Sequence, residues 1–222
     1  IPVFSRLSAG QWNPIAMFDQ LARAAQEQRI NLWFTDEQAQ ALVTEVGLDG
    51  GLRADNNAST QVGVYLNDFS VGKLEYHLAT EVFAACNAAE RTVTVSMNMR
   101  NSVTDDVTNA YALGFRNSSY GLPPRAMMLD TLFFAPPGAT ITAIDPGQGD
   151  IPSLSRSGTE GGNTGESRMI TLEQDETRTV SYTVTLPPGP LGPLDLRHTP
   201  TASDTPVTVD ASCDPFVAGL TS

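Results

Sequence analysis

Apolar and polar positions along this chain change their repeat once. From Asn13-Pro14 onward, Ile15, Phe18, Leu21, Ala22 and Ala25 recur at helical spacing. That stripe predicts a helix ending near Arg29, with Asn13 as its cap and Pro14 at the first helical position, where a missing N–H costs nothing. Ile30 to Phe34 reads as a short buried strand. Thr35 and Gln38 have the spacing of a capping box, and Ala39, Leu42, Val43 and Val46 form the apolar face of a second helix that Gly47 and Gly50-Gly51 stop. Residues 1–53 are therefore expected to form a helix–strand–helix segment.

From about Ala54 the period falls to two. Lys73 to Cys86 alternates Leu74, Tyr76, Leu78, Thr80, Val82, Ala84 and Cys86 against Lys73, Glu75, His77, Ala79, Glu81 and Phe83, as a strand with one face on a core does. Arg91 to Met99 and Glu176 to Leu186 repeat the pattern with threonine-rich outer faces, which suit a solvated sheet. Gln61–Asn67, Ala126–Ala135, Ala139–Ile144, Ser167–Leu172 and Thr205–Ala211 bring the expected strands to eight. Turn chemistry separates them: Asp68 to Gly72, Pro136-Pro137-Gly138, Asp145-Pro146-Gly147 and the prolines around Gly189. With no helical period after Gly50, the expected fold is α+β and predominantly β. It is an antiparallel immunoglobulin-like β-sandwich over residues 54–222, preceded by the short helix–strand–helix segment. Ser155 to Gly165, rich in glycine and nearly without apolar side chains, is expected to be a mobile surface loop. Asn101 to Pro124, with Tyr111, Phe115 and Tyr120, is expected to be a packed loop.

Composition narrows the function classes. There are 13 basic residues against 25 acidic ones, a net charge of −12. The basic residues are scattered arginines and a single lysine, Lys73, so neither nucleic acid nor an anionic membrane has a basic patch to meet. No apolar run approaches the roughly 18 residues that a membrane helix needs. The chain starts without Met, which suggests a piece of a longer protein or a processed product. Cys86 and Cys213 each end a strand-like segment. Paired, they would close a long loop worth about 4–5 kcal/mol; the alternative is two buried thiols. The acidic, lysine-poor, Ser/Thr-rich composition looks exported and favours the disulfide.

Catalytic motifs are missing: there is no G-x-S-x-G elbow, P-loop or G-x-G-x-x-G, and no cofactor is expected. His77 and His198 lack companions at metal-ligand spacing. Among the carboxylates, Asp105-Asp106, Asp36-Glu37 and Asp204, Asp210 and Asp214 offer pairs. A glycosidase needs its pair held roughly 5–10 Å apart across a cleft, which spacing along a chain does not supply. Asp145 to Asp150 is expected to be a plain turn, with weak calcium binding by Asp145 and Asp150 as the alternative. The most distinctive segment, Val64 to Leu78, reads as a β-hairpin with a five-residue turn. Asn67, Asp68 and Lys73 would form a polar cluster at its tip; equally, Asn67-Asp68 would form the turn while Lys73 guards a strand edge.

At this hairpin, with its Asn67-Asp68, Gly72-Lys73 and Tyr76, the sequence resembles the actinobacterial surface family termed domain of unknown function 4012. Met17 to Leu21 leading into Arg29 to Phe34, and Arg178 to Val184 ahead of a Cys-containing strand, carry the same likeness. The resemblance covers most of the chain as the C-terminal part of such a protein. It implies an exported protein with an upstream membrane anchor and an upstream region similar to the LytR-CpsA-Psr phosphotransferases, whose catalytic positions would precede Ile1. No catalytic residue is carried over.

The expected function is a non-catalytic structural or interaction module at the cell surface, with wall glycopolymer or another envelope protein as its partner. An accessory role beside a phosphotransferase domain is the alternative. A carbohydrate-binding sandwich is a third reading, which would need an exposed aromatic platform; the tryptophans, Trp12 and Trp33, both fall inside the apolar pattern of the N-terminal segment.

Overall fold

A computed structural model describes residues 2–114 and 121–220. The chain divides at Gly51/Leu52 into two compact units. In the first, α1 spans Pro2–Ser8, α2 Pro14–Gln26 and α3 Glu37–Glu45. Asn13 caps α2, its side chain accepting from the N–H groups of Ile15 and Ala16, with Pro14 following as predicted. The α3 start is shifted by one residue. Asp36, a better cap than Thr35, accepts from the Ala39 N–H at 2.9 Å, so the Thr35/Gln38 box does not form. Gly47 ends α3 at φ 72, its N–H reaching Thr44 O while the Leu48 N–H reaches Val43 O, a Schellman closure.

The expected strand Ile30–Phe34 is not one. Without a second extended segment in this unit to pair with, it makes one backbone hydrogen bond to the α3 side, Leu32 N–H to Leu48 O at 2.7 Å, and Trp33 stays 76% exposed. The helical stripes are also uncovered, with Ile15, Phe18, Leu42 and Val46 exposed and Val43 buried.

The second unit is a β-sandwich of two five-stranded sheets. Its strands are β1 Thr60–Asp68, β2 Leu78–Asn87, β3 Thr92–Asn101, β4 Met127–Phe134, β5 Thr140–Asp145, β6 Arg156–Glu160, β7 Asn163–Leu172, β8 Thr177–Thr185, β9 Leu194–His198 and β10 Val207–Val209. Short helices α4 Ala110–Leu113 and α5 Asp214–Val217 lie in its connections. The first sheet runs β6-β7-β4-β1-β9 and the second β10-β2-β3-β8-β5. Alternation puts Val62, Val64, Leu129, Phe133, Ile170 and Leu172 of the first sheet against Val82, Val93, Val95, Met97, Met99, Val180 and Val184 of the second, all essentially inaccessible. Each such side chain contributes roughly 1.5–3 kcal/mol through burial. On the far side of β3 and β8 the hydroxyls pair across the strands. Thr94 meets Thr183 at 2.9 Å, Ser96 meets Ser181 at 2.8 Å, and the Thr179 hydroxyl donates to Asn98 Oδ1 at 2.6 Å.

Four expectations change. The sheets are mixed, not purely antiparallel: β9 runs parallel to β1, and β10 parallel to β2. Residues 74–77 form a 3₁₀ turn, so the long strand begins at Leu78. The stretch 155–165 forms most of the β6/β7 hairpin, whose two-residue turn Gly161-Gly162 has both φ values positive (55 and 85), as a type I′ hairpin turn requires. β9 is a strand beyond the eight expected, following the proline-rich turn around Gly189. In the 101–124 stretch Val103 is buried while Tyr111 is exposed; Phe115 and Tyr120 lie outside the described residues.

Cys86 and Cys213 are joined, with their Cα atoms 4.8 Å apart at a sequence separation of 127. Cys213 is fully buried, and β10 pairs with Val82–Ala84 just before it, so the bond staples the C-terminal segment along β2.

At the centre, Tyr182 of β8 stacks on Phe133 of β4 with ring centroids 4.8 Å apart and an interplanar angle of 6°. Its hydroxyl donates to Thr131 O at 3.0 Å and lies 2.9 Å from the Thr131 hydroxyl. Burial is the main cause that pushes the Tyr182 phenol up to about 12.

Two outcomes are expected. Replacing both cysteines by alanine lowers the urea stability of the sandwich by about 4 kcal/mol, and mass spectrometry of the non-reduced protein finds no free thiol. Because the folded-state pKa of Tyr182 lies above its unfolded value of 10, its contribution is complete below pH 10 and is lost as pH rises toward 12. Stability should fall by about 2–3 kcal/mol over that window, and Tyr182→Phe should flatten the fall in alkaline unfolding curves.

Candidate functional site

The predicted hairpin 64–78 is a crossing between sheets. β1 belongs to the first sheet and β2 to the second, so the chain leaves one layer at Asp68 and enters the other at Leu78. Local polarity dictates the bend. Asp68 Oδ1 accepts from the Ser70 N–H at 2.8 Å and from its hydroxyl at 2.5 Å, the Phe69 N–H donates to Met128 O, and the Lys73 N–H donates to Ala112 O. Leu74 then plugs the core. Gly72 and Gly114 are here because two backbones touch: a Cβ on Gly114 would lie 2.5 Å from Gly72 Cα, and Gly114 has φ +71.

A second crossing runs beside the first. From β9, Thr199 to Pro206 carries the chain to β10, and this shared direction is why β9 lies parallel to β1 and β10 to β2. Threonines bind the two crossings together. The Leu66 N–H donates to Thr199 Oγ1 at 2.9 Å, and the Thr80 and Thr205 hydroxyls lie 2.6 Å apart, with Thr201 joining Thr205 at 3.1 Å.

Between the crossings is a cavity of about 390 Å³. Leu66, Leu78 and Leu129 give it apolar lining, Asn67, Asp68, Lys73 and Glu75 lie on one side, and Thr199 to Ala202 on the other. The structure thus brings together Asn67, Asp68 and Lys73, the three residues singled out in the sequence. Glu75, in the 3₁₀ turn, joins them; Lys73 Nζ is 3.9 Å from Glu75 Oε1, both side chains being half-exposed. Asp68 Oδ2 and Glu75 Oε2 are enclosed without a hydrogen-bond partner among the described residues. Nothing in the linear sequence points to Thr199–Ala202, which reach the cavity through the unpredicted strand β9.

Chemically, two carboxylates and an ammonium around an apolar floor suit recognition. The hydroxyls present, Ser70, Thr199 and Thr201, are engaged in hydrogen bonds with backbone or neighbouring side chains, and none is bonded to a histidine. Asp145 and Asp150 lie elsewhere. Asp145 Oδ1 accepts from the Gly147 N–H at 3.0 Å in a turn, while Asp150 bridges to Ile170. Among the described residues no three His, Cys, Asp or Glu side chains are grouped as metal ligands would be.

The chain matches no family model, curated protein or solved structure. Also among the described residues, no helix is long and apolar enough to cross a membrane.

Gly114→Ala should cost about 2 kcal/mol or more in urea unfolding, from a disfavoured φ and a backbone clash, and should shift the amide resonances of residues 69–75. An unchanged midpoint would mean that the contact between the two backbones does not shape the crossing.

Proposed function

We propose that this chain is a non-catalytic extracytoplasmic module of a cell-envelope protein, binding wall glycopolymer or a partner protein through the cavity between its two sheet crossings. The cavity carries the reading. Its volume falls within the roughly 300–1,000 Å³ of ligand sites, and it combines an apolar floor with a few convergent polar groups. The compartment is supported by the disulfide, a bond that persists in oxidising environments, and by a composition rich in carboxylates and hydroxyls and poor in lysine. An outer location also accords with the resemblance to an exported surface family.

Isolated wall glycopolymer fragments should bind the purified chain saturably, with amide shifts gathered at residues 66–78 and 199–202. Ala202→Trp, at an exposed position on the cavity wall, should weaken this by about tenfold without lowering Tm. No turnover is expected on polyprenyl-pyrophosphate glycans; measurable turnover would overturn the non-catalytic assignment.

A further inference from the structure

The side of the first sheet turned away from the core holds a second constellation, distinct from the cavity between the crossings. Gly158, Gly165, Phe134 and Gly63 lie directly opposite one another in a single row across β6, β7, β4 and β1. Three glycines in one row weaken strands and call for a reason. Two hold aromatic rings down on bare backbone. A Cβ on Gly165 would lie 2.8 Å from a carbon of the Phe134 ring, and one on Gly63 would lie 2.4 Å from the Tyr65 ring. The two rings meet edge to face at 6.1 Å. Gly158 is different, since a Cβ there would meet nothing within 4 Å. It leaves open floor beside Phe134.

The next row holds Arg156 opposite Ser167. Arg156 is anchored from beneath: its Nη2 donates to Asp130 Oδ2 and its Nε to Ser167 Oγ at 3.4 Å. The Asp130 side chain is 2% exposed and that of Arg156 61%, so a buried acid fixes an accessible guanidinium whose Nη1 has no protein partner among the described residues. A groove of about 250 Å³ connects these groups, lined by Phe134, Leu132, Arg156, Gly158, Glu160 and Ser167 among others.

We infer that this groove is a subsite for one uncharged pyranose ring. The electron-rich face of Phe134 suits the C–H face of a sugar. The anchored Nη1 donates to a ring or hydroxyl oxygen, and the Glu160 carboxylate accepts from a hydroxyl. Asp130 already neutralises Arg156 and Glu160 adds a negative charge, so an anionic ligand is disfavoured. The volume lies below that of drug-sized pockets and admits a single ring. Phe134 supplies the aromatic surface that a carbohydrate-binding sandwich needs, in place of the tryptophans, with Tyr65 bracing its ring from the side away from the groove lining.

The test is an amide-shift titration of the full chain with methyl glucopyranoside, methyl galactopyranoside and methyl mannopyranoside up to about 50 mM, the range suited to millimolar Kd. At least one should give saturable shifts confined to residues 156–160, 132–134 and 165–167, and glucuronate should bind more weakly. Gly158→Val fills open space on an edge strand, so it should keep Tm while weakening binding at least about tenfold. Arg156→Met should weaken binding with the floor intact but lower Tm as well, because it leaves the buried Asp130 carboxylate without its partner. No localised shift with any pyranoside, unchanged binding in Gly158→Val, or tighter binding of glucuronate would overturn the inference. Shifts at residues 66–78 instead would overturn it while leaving the proposed role of the crossing cavity standing.

Discussion

Apolar burial draws two sheets together but is non-directional, so it leaves their alignment undetermined. Here Tyr182 supplies the direction. Its ring lies flat on Phe133, and its hydroxyl meets both the carbonyl and the hydroxyl of Thr131, which pins β8 of one sheet over β4 of the other. A phenol buried this completely is costly unless hydrogen-bonded, so few alternative slides of the sheets satisfy it. Because β4 is the common member, the same joint also places the outward-facing alternates Leu132 and Phe134, and the end at which the chain passes from layer to layer.

The two parallel crossings are the second organising element. Parallel neighbours usually require a helical crossover within one sheet. This chain avoids the need by sending both connections from the first sheet to the second side by side. The β9–β1 and β10–β2 pairings follow from that, and the disulfide between Cys86 and Cys213 holds the later crossing where it lies. The cavity is the space left between the two connections, bounded by backbone that the threonine contacts tie together.

What could be read from the residues alone was local. Alternation in 91–99 and 176–186 located β3 and β8 to within two residues at each end, Asn13-Pro14 located a helix start, and two strand-terminal cysteines suggested their bond. Sheet membership was invisible. A polar five-residue bend between two apolar runs is the same string whether the second run returns to the first sheet or departs for the other, so Val64 to Leu78 imitated a hairpin. The Gly161-Gly162 pair did mark a tight turn, yet glycine and polar side chains around it masked a real hairpin because β6 packs neither face into the core. Of the cavity residues, Asn67, Asp68 and Lys73 were legible because they are neighbours in sequence. Glu75 was hidden by a period of two that continues through a 3₁₀ turn, and Thr199–Ala202 by prolines that suggested loop.

Lys73 is the single lysine of the chain, half-exposed on the wall of the cavity between the crossings. Amine-reactive chemistry therefore has one side-chain address in this protein. A fluorophore attached there reports from the cavity wall without any engineered cysteine, and so without disturbing the disulfide that staples the C-terminal segment to β2.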